Sequence, residues 1–547
     1  MKTQDSREEA ASSASALAPS GDADPGQTTQ APRLARSAGA FGFMTLLSRI
    51  AGFARDVLQA HLFGAGVATD AFTIAYRIPN YLRRIFAEGS FAMAFVPVFN
   101  ELKQNGDERA LKDFLDHVAG ALCAAVLVIT ALGMLAAPLI VSVVAPGSLQ
   151  QPEKFALTSE MLRIVFPYLF FISLTALAGA VLNSMQRFAL PAFTPVLHNL
   201  SVIAAMLLLA GLLDVPAKAL AWGVFVAGIA QFLLLWPSLA RHGMLPRLRL
   251  NLGHDGVRRV GKLMLPTLFS SSVAQINLII GTAFASLLVA GSQTWLWYSD
   301  RLVEFPLGLF GVAIGTVILP HLSRRSAAAD TAGFSRGVDW GLRMILLVGL
   351  PAAAGLALLA EPLAVVIFQR GAFTAEDSLM TALALTAMSI GVPGFMLSKV
   401  LAPAFFSRQD TKTPMRAALW TVAINVSLTV AIVTPLWLNG VPGAHAGIAL
   451  ATALAGLANA ALLWRALRRS GGFELQAGWR RFLWQLLLGL CCMAVAVLVL
   501  RQQVGDFARY AEWQRWGLLL AAVATGALTY GLGLLLAGLR PRQLRHH

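Results

Sequence analysis

From about residue 36 onward, the chain is a succession of apolar stretches separated by short loops. About 20 apolar residues make a helix long enough to cross the roughly 30 Å hydrocarbon core of a bilayer. Runs of this kind recur from 36–62 to 515–539, which predicts an all-α polytopic membrane protein with about 14 transmembrane helices. Composition agrees: the 547 residues are 57% hydrophobic and 13% charged, against about 25% charged in soluble domains.

Loop charge sets the expected orientation. Arg33, Arg36, Lys103, the cluster Arg241 to Lys262, Arg324, Arg408, Arg468 and Arg542 all fall on one side of the alternating spans. Lys154, Lys218, Arg370, Arg501, Arg509 and Arg515 fall on the other. The positive-inside rule then places both termini in the cytoplasm. Residues 1–35 are polar, lack the apolar core of a signal peptide and read as a disordered cytoplasmic tail. The net charge of +15 lies in short loops rather than on one soluble face, so nucleic acid is not an expected partner.

An internal repeat is visible at an offset of about 220 residues. Pro138 and Gly147 match Pro362 and Gly371, Val181 and Pro195 match Val400 and Pro414, and Pro97 matches Pro320. Six spans are thus repeated in the same orientation, and such repeats place a substrate site between two lobes near the midplane. The expected division is 36–245 for the first six-helix lobe and 250–470 for the second. Residues 475–547 then form two extra C-terminal helices and a short tail.

The expected site is where charge enters apolar helices. The first span carries Ser48, Arg49, Gly52, Arg55 and Asp56; the second carries Asp70, Arg77, Asn80, Arg83, Arg84 and Glu88; the eighth carries Asp300, Arg301 and Glu304. A charge at mid-membrane costs about 2.5–3.5 kcal/mol on an insertion scale and ordinarily faces a bundle interior or a wet cavity. Asp70, Arg77 and Arg84 are seven apart, a spacing that keeps them on one helix face. The arginines slightly outnumber the acids, which argues against a purely acidic pocket for cations. The competing explanation is a set of interlobe ion pairs. No phosphate-binding loop, HExxH or Gly-x-Ser-x-Gly motif is present. Cys123, Cys491 and Cys492 lie in apolar runs and suggest no metal site or disulfide framework.

The runs SRIAGFARD (48–56), ATDAF (68–72), RIPNYLRRIFAEGSFAMAFVP (77–97), DRLVEFP (300–306) and SRQDTKTP (407–414) closely resemble the MurJ-type (MviN) lipid II flippases. These belong to the multidrug/oligosaccharidyl-lipid/polysaccharide exporter superfamily. The resemblance implies fourteen helices, a cationic central cavity and a hydrophobic groove beside the last two helices. It also implies a multi-pass transporter, not an enzyme, in the bacterial inner membrane. Such a transporter moves undecaprenyl-diphosphate-linked lipid II to the outer leaflet by alternating access in peptidoglycan biosynthesis. On that reading Arg49, Arg55, Arg83, Arg84 and Arg301 hold the diphosphate. Ser48, Gly52, Asp56, Asp70, Arg77, Asn80, Glu88, Asp300 and Glu304 are the cavity acids and supporting residues. Membrane lipids and the cell-wall synthesis machinery are the other expected partners. No cofactor is expected, and the membrane potential is the expected driving force. Some family members bind sodium through acids of the seventh and eleventh helices. Here those spans hold Gln275, Asn277 and Asn425 and no acid, so a sodium site is not expected. The alternative is an exporter of another lipid-linked oligosaccharide or a drug; an integral membrane enzyme would need catalytic groups gathered at one membrane face.

Overall fold

A computed structural model describes residues 30–84, 91–328, 330–471 and 473–540. Among the described residues all regular structure is helical, as the apolar runs require. The first half comprises α1 (Gln30–Phe63), α2 (Val67–Arg83), α3 (Phe91–Gln104), α4 (Glu108–Leu135), α5 (Ala137–Val144), α6 (Pro152–Val165), α7 (Pro167–Ser184), α8 (Ala189–Leu209) and α9 (Lys218–Arg241). The second comprises α10 (Asp255–Ser286), α11 (Ser292–Pro306), α12 (Val312–Ala327), α13 (Thr331–Leu358), α14 (Ala360–Phe368), α15 (Ala375–Ser389), α16 (Val392–Phe406), α17 (Lys412–Leu438) and α18 (His445–Arg469). Two further helices follow, α19 (Trp479–Val504) and α20 (Glu512–Leu536). Helix α1 starts at Gln30, six residues before the span expected at 36.

With α6 and α7 taken together as one span, Pro152–Ser184, 9 of the described helices can cross a membrane by length and composition, or 10 when α15 and α16, bent by 41° at their junction, also count as one. The other four of the expected fourteen spans lie on α1, α2–α3, α10 and α11–α12. Their helices are interrupted by charge, proline or polar residues, so apolar length alone does not fix the number of crossings among the described residues. Proline-led boundaries recur: α6 and α7 both begin at a proline. There the missing N–H is no loss, because the first turn has no intrahelical acceptor for it.

Cores form from the faces turned away from lipid. One cluster joins Phe72, Tyr76, Met161, Phe166 and Leu220, and a second joins Phe95, Phe99, Phe114 and Leu182. The largest includes Tyr298, Phe334, Phe368, Met396 and Leu463. Helices α19 and α20 pack on each other and on α13. Helix α10 lies between the halves, touching α3 and α4 on one side and α17 and α18 on the other.

The glycines matched by the repeat meet corresponding places. The Gly147 N–H donates to Ser286 Oγ at the end of α10 (3.0 Å), and a Cβ on Gly147 would strike the Ser286 backbone. A Cβ on Gly371 (φ 53°) would strike the His61 carbonyl near the end of α1. Its neighbour Ala372 donates its N–H to that same oxygen (2.9 Å). Each half thus sets a glycine turn against the end of the other half's first helix.

Candidate functional site

Helix α2 carries one polar face through three depths. Seven residues advance a helix by about 10 Å while nearly restoring the same facing, so Asp70, Arg77 and Arg84 share a face but not a level. Asp70 meets the start of α11. It accepts the N–H of Gly291 (2.9 Å), the N–H of Thr294 (3.0 Å) and the Thr294 hydroxyl (2.8 Å), and it pairs with Lys154 at 3.1 Å. A helix N-terminus presents free N–H groups and the positive end of its dipole, which suits a carboxylate. Lys154, assigned from sequence to an outer loop, is fully buried by this pairing. Two turns on, Arg77 donates to Thr282 Oγ1 (3.1 Å) and Gln293 Oε1 (2.7 Å). Gln293 in turn donates to the Thr282 carbonyl (2.7 Å).

Beyond Arg77 lies a cavity of about 150 Å³ between the halves. Arg77, Asn80 and Arg84 line it from the first half; Asn277, Thr282, Trp297, Asp300, Arg301 and Glu304 line it from the second. It has room for several waters but not for a saccharide-peptide. Trp297 organises the cations. The Arg301 guanidinium lies 4.4 Å from its ring centre and that of Arg77 lies 5.8 Å away. Aromatic faces attract cations, most strongly where water is scarce.

Arg301 also ties the halves together. It pairs with Glu304 on its own helix (2.9 Å) and with Asp56 of α1 (3.4 Å). Asp56 is shared, because Arg55 donates to its other oxygen at 2.6 Å through Nη2 and 3.1 Å through Nε. Arg55 then donates to Asn199 Oδ1 (3.1 Å), and Asn199 donates to the Ser48 carbonyl (3.2 Å). Gly52 makes this crossing close: a Cβ there would sit 3.4 Å from the Asn199 side chain. Arg83 donates to Asn80 Oδ1 (2.9 and 3.1 Å).

Arg49 takes a different place. After Pro306 the eighth span widens into a π turn, Leu307–Gly311. The Arg49 guanidinium lies against Gly308 in that turn, where a Cβ would collide with it. Among the described residues the side chain of neither Arg49 nor Arg84 has a hydrogen-bonding or ion-pair partner, and both residues are exposed.

Of the sequence-predicted residues, the structure gathers Arg77, Asn80, Arg84, Asp300, Arg301 and Glu304 at the cavity. Asp56, Arg55, Ser48 and Gly52 are joined to it through the Arg301 network. Arg83 is held on Asn80, Arg49 sits at the π turn, and Asp70 is buried at another level. Glu88 lies outside the described residues. Sequence reasoning missed Trp297, Thr282, Gln293 and the burial of Lys154. The WxxxR spacing from Trp297 to Arg301 carried a signal for the first, since residues four apart stack on a helix. Asn277 accepts from Asn425 Nδ2 (2.7 Å), so the polar groups of α10 and α17 meet each other.

One His/Asp group lies elsewhere: Asp113, His117 and His254 have potential ligand atoms within 4.8 Å of one another. Hydrogen bonding disfavours a metal there. His254 Nδ1 accepts the Gly256 N–H (3.1 Å), which leaves the proton on Nε2 to be donated to Asp113 (3.0 Å).

Residues 59–510 match the family model described as lipid II flippase MurJ. This chain belongs to that family. The lipid II flippase MurJ of Burkholderia cenocepacia is 44% identical over 446 residues, covering 81% of this chain and 85% of the relative. A protein of Haemophilus influenzae named "Probable lipid II flippase MurJ" is 40% identical over 517 residues, covering 92% and 99%. Among solved structures, a lipid II flippase MurJ in an inward closed conformation superposes with a TM-score of 0.74 at 26% identity, covering 90% of this chain and 97% of that one. An inward-facing MATE family transporter of the MOP superfamily shares the fold alone, with a TM-score of 0.65 at 11% identity over 77% of this chain and 94% of that one. The flippase family is a family of transporters, and the multi-pass helical bundle accords with it.

Proposed function

We propose that this MurJ-family chain moves lipid II from the inner to the outer leaflet of the cytoplasmic membrane by alternating access between two six-helix lobes. The observation that carries the reading is a cation-lined cavity at the boundary between the halves. Its Arg301 is bonded across the boundary to Asp56, while the Asp70 clasp closes one end. Arg49 and Arg84, with no ion-pair partner among the described residues, are the first contacts for the diphosphate. Charge-assisted, forked hydrogen bonds suit that group. Arg301 and Arg55 join when the diphosphate displaces Asp56 and Glu304, and those acids reclaim them on release.

Both termini are cytoplasmic in this reading, as the loop charge demands. The prenyl chain stays in a lipid-facing groove bounded by α19 and α20. An inside-negative potential favours outward movement of the anion. At about 2.3 kcal/mol per charge per 100 mV, a diphosphate with roughly two charges gains about 5 kcal/mol. The reading calls on neither a nucleotide nor a sodium ion; Asn277 and Asn425 of the seventh and eleventh spans bond to each other. Contacts with the cell-wall machinery belong to the same reading.

A leaflet-resolved assay of labelled lipid II in proteoliposomes tests it. Outward movement that rises with an imposed inside-negative potential and is lost in Arg49→Ala supports the proposal. Movement of a different lipid-linked oligosaccharide with no lipid II transfer would replace lipid II as the cargo.

A further inference from the structure

The segment from Gly243 to Gly253, between α9 and α10, is neither helix nor strand, and it carries a pattern the transport reading does not use. It reads Leu245-Pro-Arg-Leu-Arg-Leu-Asn-Leu252 and runs along α4. The Lys112 ammonium donates to the Leu245 carbonyl. Asp116 accepts the N–H of Arg247 on its carboxylate (2.8 Å) and the N–H of Arg249 on its backbone carbonyl (3.2 Å). The Arg249 backbone lies against Gly120, where a Cβ would strike it. From Lys112 to Gly120 the helix advances about 12 Å, close to the reach of four extended residues at about 3.3 Å each. The segment therefore climbs from the basic end of the bundle toward the apolar body of α4.

Alternation along the segment puts Leu248 and Leu250 on one side; Leu252 follows in the turn closed by the His254 N–H on the Asn251 carbonyl, and the three leucines are 55%, 65% and 67% exposed. The Arg249 guanidinium turns back, reaching Asp113 Oδ1 at 3.6 Å, two turns nearer the helix start than Gly120. An arginine that bends its head away from its own backbone level is snorkelling. Exposed at the same end are Arg241, Arg247, Arg258 and Lys262, none of which pairs with a carboxylate among the described residues. The N–H groups of Leu248 and Leu250 make no protein hydrogen bond among the described residues, which bars the segment from the hydrocarbon core. Its leucines are equally unsuited to open water.

We propose that residues 245–252 are an interfacial strap that binds an anionic phospholipid leaflet. Leu248, Leu250 and Leu252 rest at the boundary between headgroups and acyl chains, and Arg241, Arg247, Arg258 and Lys262 bind lipid phosphates. The boundary satisfies both constraints: water and headgroups reach the backbone, while acyl chains cover the leucines. The strap joins α4 of the first half to α10 of the second, so lipid grips the chain where the halves are linked. This goes beyond the transport reading and stands whatever the cargo.

The test uses the full chain in vesicles, with Cys123, Cys491 and Cys492 replaced by serine and a nitroxide on Leu248→Cys, Leu250→Cys or Leu252→Cys. In vesicles rich in phosphatidylglycerol, each label should be open to oxygen and closed to an aqueous nickel chelate. Labels open to the chelate would overturn the strap and make the leucine row a docking face for a soluble protein. Hydroxyl-radical labelling of the unmodified protein gives the same reading without substitution: the three leucines should be protected in vesicles, and modification at the level of a water-exposed loop would overturn the proposal. For the cations, Arg247→Gln and Arg258→Gln should each lower the retention of phosphatidylglycerol by about fivefold. Retention unchanged in both would remove lipid phosphate from the proposal.

Discussion

The Asp70 carboxylate and the Lys154 ammonium stand 3.1 Å apart with neither side chain exposed to solvent. Removing one partner leaves a buried charge with no counterion. Asp70→Ala and Lys154→Ala should each destabilise the protein by about 3–5 kcal/mol. The double variant should cost less than the sum, and a double-mutant cycle on unfolding midpoints measures that coupling. Additive losses would mean that the pair does not interact.

The arginines should divide into two classes. Arg49→Ala and Arg84→Ala break no ion pair among the described residues, so these variants should express and unfold like the parent yet fail in lipid II transfer. Arg55→Ala leaves Asp56 with Arg301 as its one remaining cation among the described residues and takes the donor from Asn199 Oδ1, and should lower the unfolding midpoint as well as activity. Lysine at Arg49 should restore only part of the activity, because it keeps the charge but not the planar fork. Instability of Arg49→Ala would assign that residue to the frame.

Gly147 and Gly371 should act as a pair of seals. A methyl group at either would strike backbone of the other half, at Ser286 or at His61. Alanine there should push the halves apart at the end closed by Asp70. A Ser292→Cys reporter, fully buried in the parent, should then react several-fold faster with a membrane-impermeant maleimide. An unchanged rate in both variants would show that these contacts do not close the bundle.

Outside the membrane, Arg259 donates both Nη groups to Glu101 (2.6 and 3.0 Å) and thereby lowers that carboxyl's pKa below its usual 4.5. A depressed folded-state pKa stabilises above the unfolded value and is lost as pH falls through the folded one. The parent and Glu101→Gln should therefore differ most above pH 4.5 and converge below it. The difference should shrink in high salt, as both groups are exposed. A gap that widens on acidification would rule out this pair as its source.

The helical fold was legible because apolar runs of bilayer length leave a chain little else to do. The charged helices were also found, since an ion in such a run needs a reason. What could not be read was depth and partnership. Asp70, Arg77 and Arg84 share a face by spacing, but spacing on one helix says nothing of what lies opposite each level. So spacing groups Asp70 with a cavity whose lining does not include it, and Lys154, following Pro152 and Glu153 at the start of a helix, reads as a loop cation. Asn199 was legible as a polar residue within a span but not as the link between Arg55 and Ser48. That link depends on α8 crossing α1 at this level, and the sequence names no second helix.

The Asp70 clasp also bears on how such a carrier rests. Its bonds run from one half to the other through groups that no cargo need touch, so the barrier stands while the cavity holds only water. A cell that stores energy as an ion gradient cannot keep a continuous column of water across its membrane. With the clasp shut, an idle copy waits without short-circuiting that gradient, and many copies can stand ready at little energetic loss to the cell.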